Sequence, residues 1–242
     1  MKSENDKVMN LCLNCRRRLR TCVCEYLRPF DTESRFIILM HPMEFKKEKV
    51  GTGRFSHLIL KNSLCFVDIS FDQNKEFLAA LNDPQYQSFV LYPGVDTINL
   101  SSPAVPEALL GKKNQFIVID GTWPCAKKMM KLSKCLHDLP RVSFQTERIS
   151  EFKIKHQPLP GCLSTVESIH QVLKDLNRFG IENNLDAEDN LIEVFRKTID
   201  MQIQLAQDPE RQGYRRKSFS MPENRKISKK WSDRLLFFKG NS

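Results

Sequence analysis

Four cysteines stand at Cys12, Cys15, Cys22 and Cys24, close enough in sequence for a short, loop-rich segment to wrap all four thiols around one tetrahedral ion with little cost of loop closure. Zn²⁺ held by four thiolates is the natural reading, and a closed four-ligand set leaves no open position for substrate, so such a zinc is structural. Arg16, Arg17, Arg18 and Arg20 lie between the cysteines, where they favour thiolates and can also face phosphate. The alternatives are four free thiols in a flexible arm, or an iron–sulfur cluster. Cys65, Cys125, Cys135 and Cys162 lack comparable spacing and read as small buried hydrophobes.

A second constellation surrounds Asp120. Residues Gln115–Asp120 read as a buried strand that ends in a carboxylate, and Gly121-Thr122-Trp123-Pro124 then turns the chain into a helix with proline in its first turn. Open α/β sheets place ligands at the carboxyl ends of their strands, and Trp123 offers a flat apolar face there for a purine or a target base. Each residue also has a plainer use, Asp120 as a turn or capping group and Trp123 as core. The helix expected over Pro124 to Leu136 carries Lys127, Lys131 and Lys134 at i, i+4 and i+7, with Lys128 alongside. That stripe suits an RNA backbone, or is simply a solvated face.

The elements that must position these groups form an α/β pattern. Strands are expected at Arg35–Met40, Ser63–Ile69, Ser88–Tyr92, Gln115–Asp120 and Arg141–Gln145, several of them continuous apolar runs of the kind a doubly covered parallel sheet requires. Ser164-Thr165-Val166-Glu167 forms a capping-box pattern before a helix over Thr165–Phe179 that Gly180 terminates. Leu191, Val194, Phe195, Thr198 and Ile199 make a second amphipathic stripe, with Asp186 or Asp189 as its cap. Three parts follow: a Cys₄ segment over 1–30, an α/β domain over 31–206, and a basic extension over 207–242 whose apolar end, Trp231 to Phe238, is expected to dock on the domain. The basic run is either a solvated linker or an RNA contact.

A formal net charge of +9 favours a polyanionic partner, because bound lysines and arginines release counterions from phosphates. Met1 to Asn10 is polar, without the apolar core of a signal peptide, and no apolar run is long enough to span a bilayer. A soluble cytoplasmic protein with reduced thiols is therefore expected.

Taken in order, these motifs resemble the DTW-domain family of tRNA-uridine aminocarboxypropyltransferases, whose fold is related to the knotted SPOUT methyltransferases. The resemblance runs from the cysteine cluster to the second late helix. It takes in Pro42 with Glu44, Thr52-Gly53-Arg54, Tyr92-Pro93, Asp120-Gly121-Thr122-Trp123-Pro124, Leu139-Pro140 and Ser164-Thr165-x-Glu167. Gly51, Cys125 and Lys127 depart from the residues common in the family, which bears on substrate contacts rather than on class.

The resemblance implies a SPOUT-like parallel sheet with a C-terminal knot, and S-adenosylmethionine held by loops around it. The matching loops are Tyr92-Pro93-Gly94, Ile119-Asp120-Gly121 and Leu163-Ser164-Thr165. It also implies tRNA as partner, with no obligate protein partner. Uridine N3 would attack the γ-carbon of the methionine moiety, with Asp120 as base and Thr122 and Trp123 beside it. Asp120 would alternatively only bind substrate or cofactor. Arg54, Lys127, Lys131 and Lys134 are the expected substrate contacts; Arg54, or the amino end of the Thr165 helix, would anchor the transferred carboxylate. Competing readings are a SPOUT-like methyltransferase and a non-catalytic zinc RNA-binding module.

Overall fold

Five of the apolar runs pair side by side in a computed structural model that describes residues 11–47, 51–94, 96–146, 149–152, 162–184 and 186–207. Strands β1 (Arg35–Met40), β2 (Ser63–Val67), β3 (Tyr86–Leu91), β4 (Thr97–Asn99), β5 (Lys113–Asp120) and β6 (Arg141–Ser143) form one sheet in the order β2-β1-β5-β3-β6-β4. Every pairing is parallel. The neighbouring interior strands β1 and β5 are continuous apolar runs because both of their faces are covered: Phe36 through Leu39 are 0% exposed, as are Phe116 and Ile117.

Alternation along the strands divides the interior into two layers. On one face Phe36, Ile38, Phe116 and Val118 pack with Phe55 and Ile59 of α2 (Thr52–Ile59), with the apolar stripe of α5 (Thr165–Arg178), and with Leu191, Val194 and Phe195 of α6 (Asp189–Gln207). On the other face Ile37, Leu39 and Ile117 pack with Phe77 of α3 (Lys75–Leu81) and with Met129 and Met130 of α4 (Trp123–Leu132). A short helix, α1 (Pro42–Lys47), follows β1. The expected architecture of a parallel sheet with helices on both faces is present.

The differences are local. Strand β2 stops at Val67 and β6 at Ser143, both short of the expected ends, while β3 and β5 each begin two residues early. Strand β4, three half-buried residues at the sheet edge, was not expected, since so short a run carries no periodicity. The expected helix over Pro124 to Leu136 ends at Leu132; Ser133 is buried and Lys134–Leu136 forms a separate 3₁₀ turn, so Lys134 does not continue the α-helical stripe. Helix α5 begins where the capping box places it: the Glu167 carboxylate accepts the Ser164 N–H at 2.9 Å.

The cysteine segment is joined to this body through shared core. Cys15 and Val23 are buried in the same cluster as Phe55 and Phe195. Asn190 of α6 accepts from the Arg28 N–H at 2.9 Å and donates to the Tyr26 carbonyl at 3.0 Å. The extension beyond Gln207, and residues 153–161 on whose path a knot would depend, lie outside the described residues. Among the described residues, no helix is long and apolar enough to cross a membrane.

Candidate active site

Parallel strands bring their carboxyl ends to one edge. Register pairs Met40 of β1 with Asp120 of β5, and Leu91 of β3 with Val118, so His41, Asp120 and Tyr92 emerge from three adjacent strands. Asp120 is 4% exposed. Its Oδ1 accepts the Thr165 hydroxyl at 2.6 Å and the Thr52 hydroxyl at 3.4 Å, which clasps the first residues of α5 and α2 to the end of β5. The Asp120 carbonyl accepts the His41 N–H at 2.9 Å. Between the two helices Gly53 leaves no room to spare: a Cβ there would lie 2.6 Å from both Cγ and Oδ2 of Asp120. Glycine is disfavoured in a helix, and here the space it leaves is filled by the carboxylate.

The amino end of α5 carries the reciprocal capping box of Ser164 and Glu167. The buried Glu167 carboxylate accepts from the Ser164 N–H, the Ser164 hydroxyl at 2.6 Å, the Ser150 hydroxyl at 2.7 Å and the Glu151 N–H at 2.7 Å. Glu167 and Asp120 thus bring two carboxylates to this helix end. Arg54 donates from Nη2 to the Phe45 carbonyl at 3.1 Å and stacks over the Phe45 ring at 4.7 Å. Burial lowers the pKa of Arg54, Arg16 lowers it further, and Cys65, Cys15 and Asp120 act in the opposite sense. Burial, then the Asp120 charge, pushes the Cys65 thiol up to about 11, keeping it protonated at neutral pH.

Of the other expected contacts, Ser164 is buried, Leu163 and Ile119 are half-buried, and Pro93 and Gly94 are exposed at the end of β3. Ile119 faces the layer opposite to Val118, as alternation requires. Tyr92 donates its N–H to the Val142 carbonyl at 3.2 Å and carries the Arg141 guanidinium 5.8 Å from its ring. Thr122 is exposed and starts α4; its carbonyl accepts the Ala126 N–H at 2.8 Å, and Trp123 and Gly121 are half-buried beside it. Lys127 is half-buried and Lys131 and Lys134 are exposed. Helix α4 packs on the face of the sheet away from α5, and the charge of Lys128 on it is felt at His41.

Three residues at this edge had no role in the sequence reading. His41 is 6% exposed, its Nδ1 accepts the Met43 N–H at 3.1 Å, and burial, followed by the Lys128 charge, lowers its pKa, so the ring is neutral at pH 7. Thr52 and Gly53 shape the Asp120 carboxylate. The Thr-Gly-Arg run was visible as a motif, and a glycine in the first turn of a helix was the available sign of a close approach.

The cysteine segment meets a stringent distance test. All four Sγ atoms lie within 4.8 Å of one another, with Cys12–Cys24 at 3.6 Å and Cys15–Cys22 at 3.7 Å. Ligands at about 2.3 Å from one tetrahedral centre stand roughly 3.8 Å apart, so the four thiols fit a single ion. The N–H of Cys15, more than the other neighbours, draws the Cys12 thiol down to about 6, while burial pushes Cys22 up and Cys24 up to about 12. A metal ion among the four sulfurs would favour the thiolate form that burial opposes at Cys22 and Cys24.

Comparison with known proteins supplies the remaining observations. The model of the DTW domain matches residues 9–203. A Drosophila melanogaster protein named tRNA-uridine aminocarboxypropyltransferase 2 is 33% identical over 174 residues, 68% of this chain and 65% of its own length. The Mus musculus protein of the same name is 28% identical over 69% of this chain and 56% of its own length. An Arabidopsis thaliana protein named tRNA-uridine aminocarboxypropyltransferase A is 25% identical over 79% of this chain and 80% of its own length. The match thus spans under two thirds of the length of the fly and mouse relatives. No solved structure matches the chain.

Proposed function

We propose that this chain, which belongs to the DTW-domain family, transfers the 3-amino-3-carboxypropyl group of S-adenosylmethionine to N3 of a uridine in tRNA. The observation that carries the proposal is the Asp120 carboxylate. It is buried at the carboxyl edge of a parallel sheet, inside the family's own signature, and oriented by hydroxyls from two helices. The relatives named as tRNA-uridine aminocarboxypropyltransferases support the choice of reaction.

In this reaction N3 gives up its proton and forms a bond to the γ-carbon of the methionine moiety. The bond from that carbon to the sulfonium breaks, and its electron pair stays on sulfur as neutral methylthioadenosine leaves. Asp120 takes the N3 proton as general base. The hydrogen bonds from Thr165 and Thr52 fix its carboxylate, and much of the acceleration comes from holding the two substrates together. A specific observation also supports a second role. The same two hydroxyls make Asp120 the clasp between α2, α5 and β5, so its carboxylate orders the site whether or not it carries the proton.

The loops Tyr92–Gly94, Ile119–Gly121 and Leu163–Thr165 are the proposed S-adenosylmethionine site, with Thr122 and Trp123 at the reacting base. Arg54 serves an anionic group of the substrates, and Lys127, Lys131 and Lys134 serve the RNA backbone. Zn²⁺ on Cys12, Cys15, Cys22 and Cys24 is structural and stabilises the first 30 residues against the catalytic part over 31–206. The chain is proposed to work in the cytoplasm, with tRNA as its partner.

The co-product distinguishes this reaction from methyl transfer. Incubation with tRNA and S-adenosylmethionine is expected to release methylthioadenosine in a tRNA-dependent manner. Release of S-adenosylhomocysteine instead would make the protein a methyltransferase, and binding of tRNA without either product would make it a binding module.

A further inference from the structure

Arg16 follows Cys15 and closes the turn that begins at Cys12, in a left-handed conformation (φ 54°) that non-glycine residues seldom adopt. Its N–H bonds to the Cys12 carbonyl at 2.9 Å, and the Cys12 N–H bonds to the Arg17 carbonyl at 2.7 Å, so the turn is closed on itself. The guanidinium it projects lies 5.1 Å from the centre of the Phe45 ring, the same ring that Arg54 covers at 4.7 Å. Two like charges thus gather on one aromatic side chain, and the Arg16 charge is felt at Arg54. Among the described residues neither guanidinium forms an ion pair with a carboxylate, and the one hydrogen bond Arg54 makes is to the Phe45 carbonyl.

A single cation over Phe45 needs no further explanation. Two of them, with most of their fork-shaped donors unused and the charge of Asp120 within reach of one, form an arrangement that an arriving anion would relieve. We propose that Arg16 and Arg54 together bind an oxyanion of a substrate, the carboxylate of the transferred group or a phosphate of the RNA. The cysteine segment then takes part in substrate binding, and its metal holds a binding residue in place as well as the fold. The inference rests on the aminocarboxypropyl reading only where it names the carboxylate.

The test uses the full chain with its metal content matched to wild type. Arg16→Ala, Arg54→Ala and the double variant are compared for binding of S-adenosylmethionine, of methylthioadenosine, which lacks the carboxylate, and of tRNA at several salt concentrations. Arg20→Ala serves as the control, because Arg20 is exposed on the same segment and, among the described residues, stacks on no ring. Each single change is expected to weaken the same ligand by about 10-fold, and the double change by less than the product of the two. Loss for S-adenosylmethionine but not methylthioadenosine identifies the carboxylate. Loss for tRNA, with a salt slope shallower by about one, identifies a phosphate. Wild-type binding of all three ligands by Arg16→Ala, a loss no larger than that of Arg20→Ala, or a loss confined to methylthioadenosine would overturn the proposal. Because Arg16 is exposed, its variant stays informative even if Arg54→Ala misfolds. An anion effect that persists where no methylthioadenosine is released would leave this site standing and remove the proposed reaction.

Discussion

At Gly53 a single added methyl group would collide with the Asp120 carboxylate, because its Cβ would lie 2.6 Å from Cγ and Oδ2. Either the carboxylate or the start of α2 must then move, and displacements of about 1 Å at a reacting group cost on the order of 100-fold in rate. Gly53→Ala is expected to lower transfer to that extent while the protein still folds, as single-turnover rates and circular dichroism would show. Asp120→Asn keeps the shape and loses the charge. If Asp120 is the base, single-turnover transfer falls by roughly 10²–10⁴-fold with little change in affinity for either substrate; weakened affinity would mark the clasp role instead. Glu167 has a different task, since it accepts four hydrogen bonds from the start of α5 and the segment before it. Glu167→Gln should cost about 1–3 kcal/mol of stability, measured by denaturant titration, because a charged acceptor of buried donors is lost.

Among the elements, the central strands and α5 were legible in the sequence because local pattern and tertiary setting agree there. Phe36–Met40 is apolar on both faces and buried on both, and Ser164 with Glu167 announces its helix by capping chemistry. Strand β4 and the break at Ser133 were not legible. The first is held by pairing with β6 and by Ile98 packing on the core, and the second by burial of Ser133, whose hydroxyl accepts the Phe71 N–H at 3.2 Å from a distant loop. The contacts of Thr52 and Thr165 with Asp120 are likewise tertiary, joining residues 68 and 45 positions apart. The cysteine spacing was legible as a metal site, but its seating on α6 and the approach of Arg16 to Phe45 were not. Metal analysis of the double variant Cys22→Ser/Cys24→Ser should show no bound zinc, against one per chain in wild type, since two of four ligands are gone. Wild type purified without zinc would refute the site.

Burial also leaves a pH signature in the stability of the whole molecule. His41 and His57 both have pKa values lowered by burial, so below the ordinary histidine pKa of about 6.5 the unfolded chain binds more protons than the folded one. Their contribution makes stability rise with pH through that window and level off above it. Glu182 and Glu188, raised by burial, act in the opposite sense, so the readout is the difference between wild type and a His41→Gln variant. The variant should show a shallower rise of unfolding free energy between about pH 5 and 7. The net charge of +9 predicts that tRNA binding weakens steeply with salt. The most direct test of the central claim is to incubate the protein with tRNA and two preparations of S-adenosylmethionine, one labelled in the methyl group and one in the aminocarboxypropyl group, and to analyse the nucleosides by mass. The account predicts a uridine-derived nucleoside carrying the aminocarboxypropyl label alone; a nucleoside carrying the methyl label, or folded, metal-bound protein that transfers neither label to any tRNA, would contradict it.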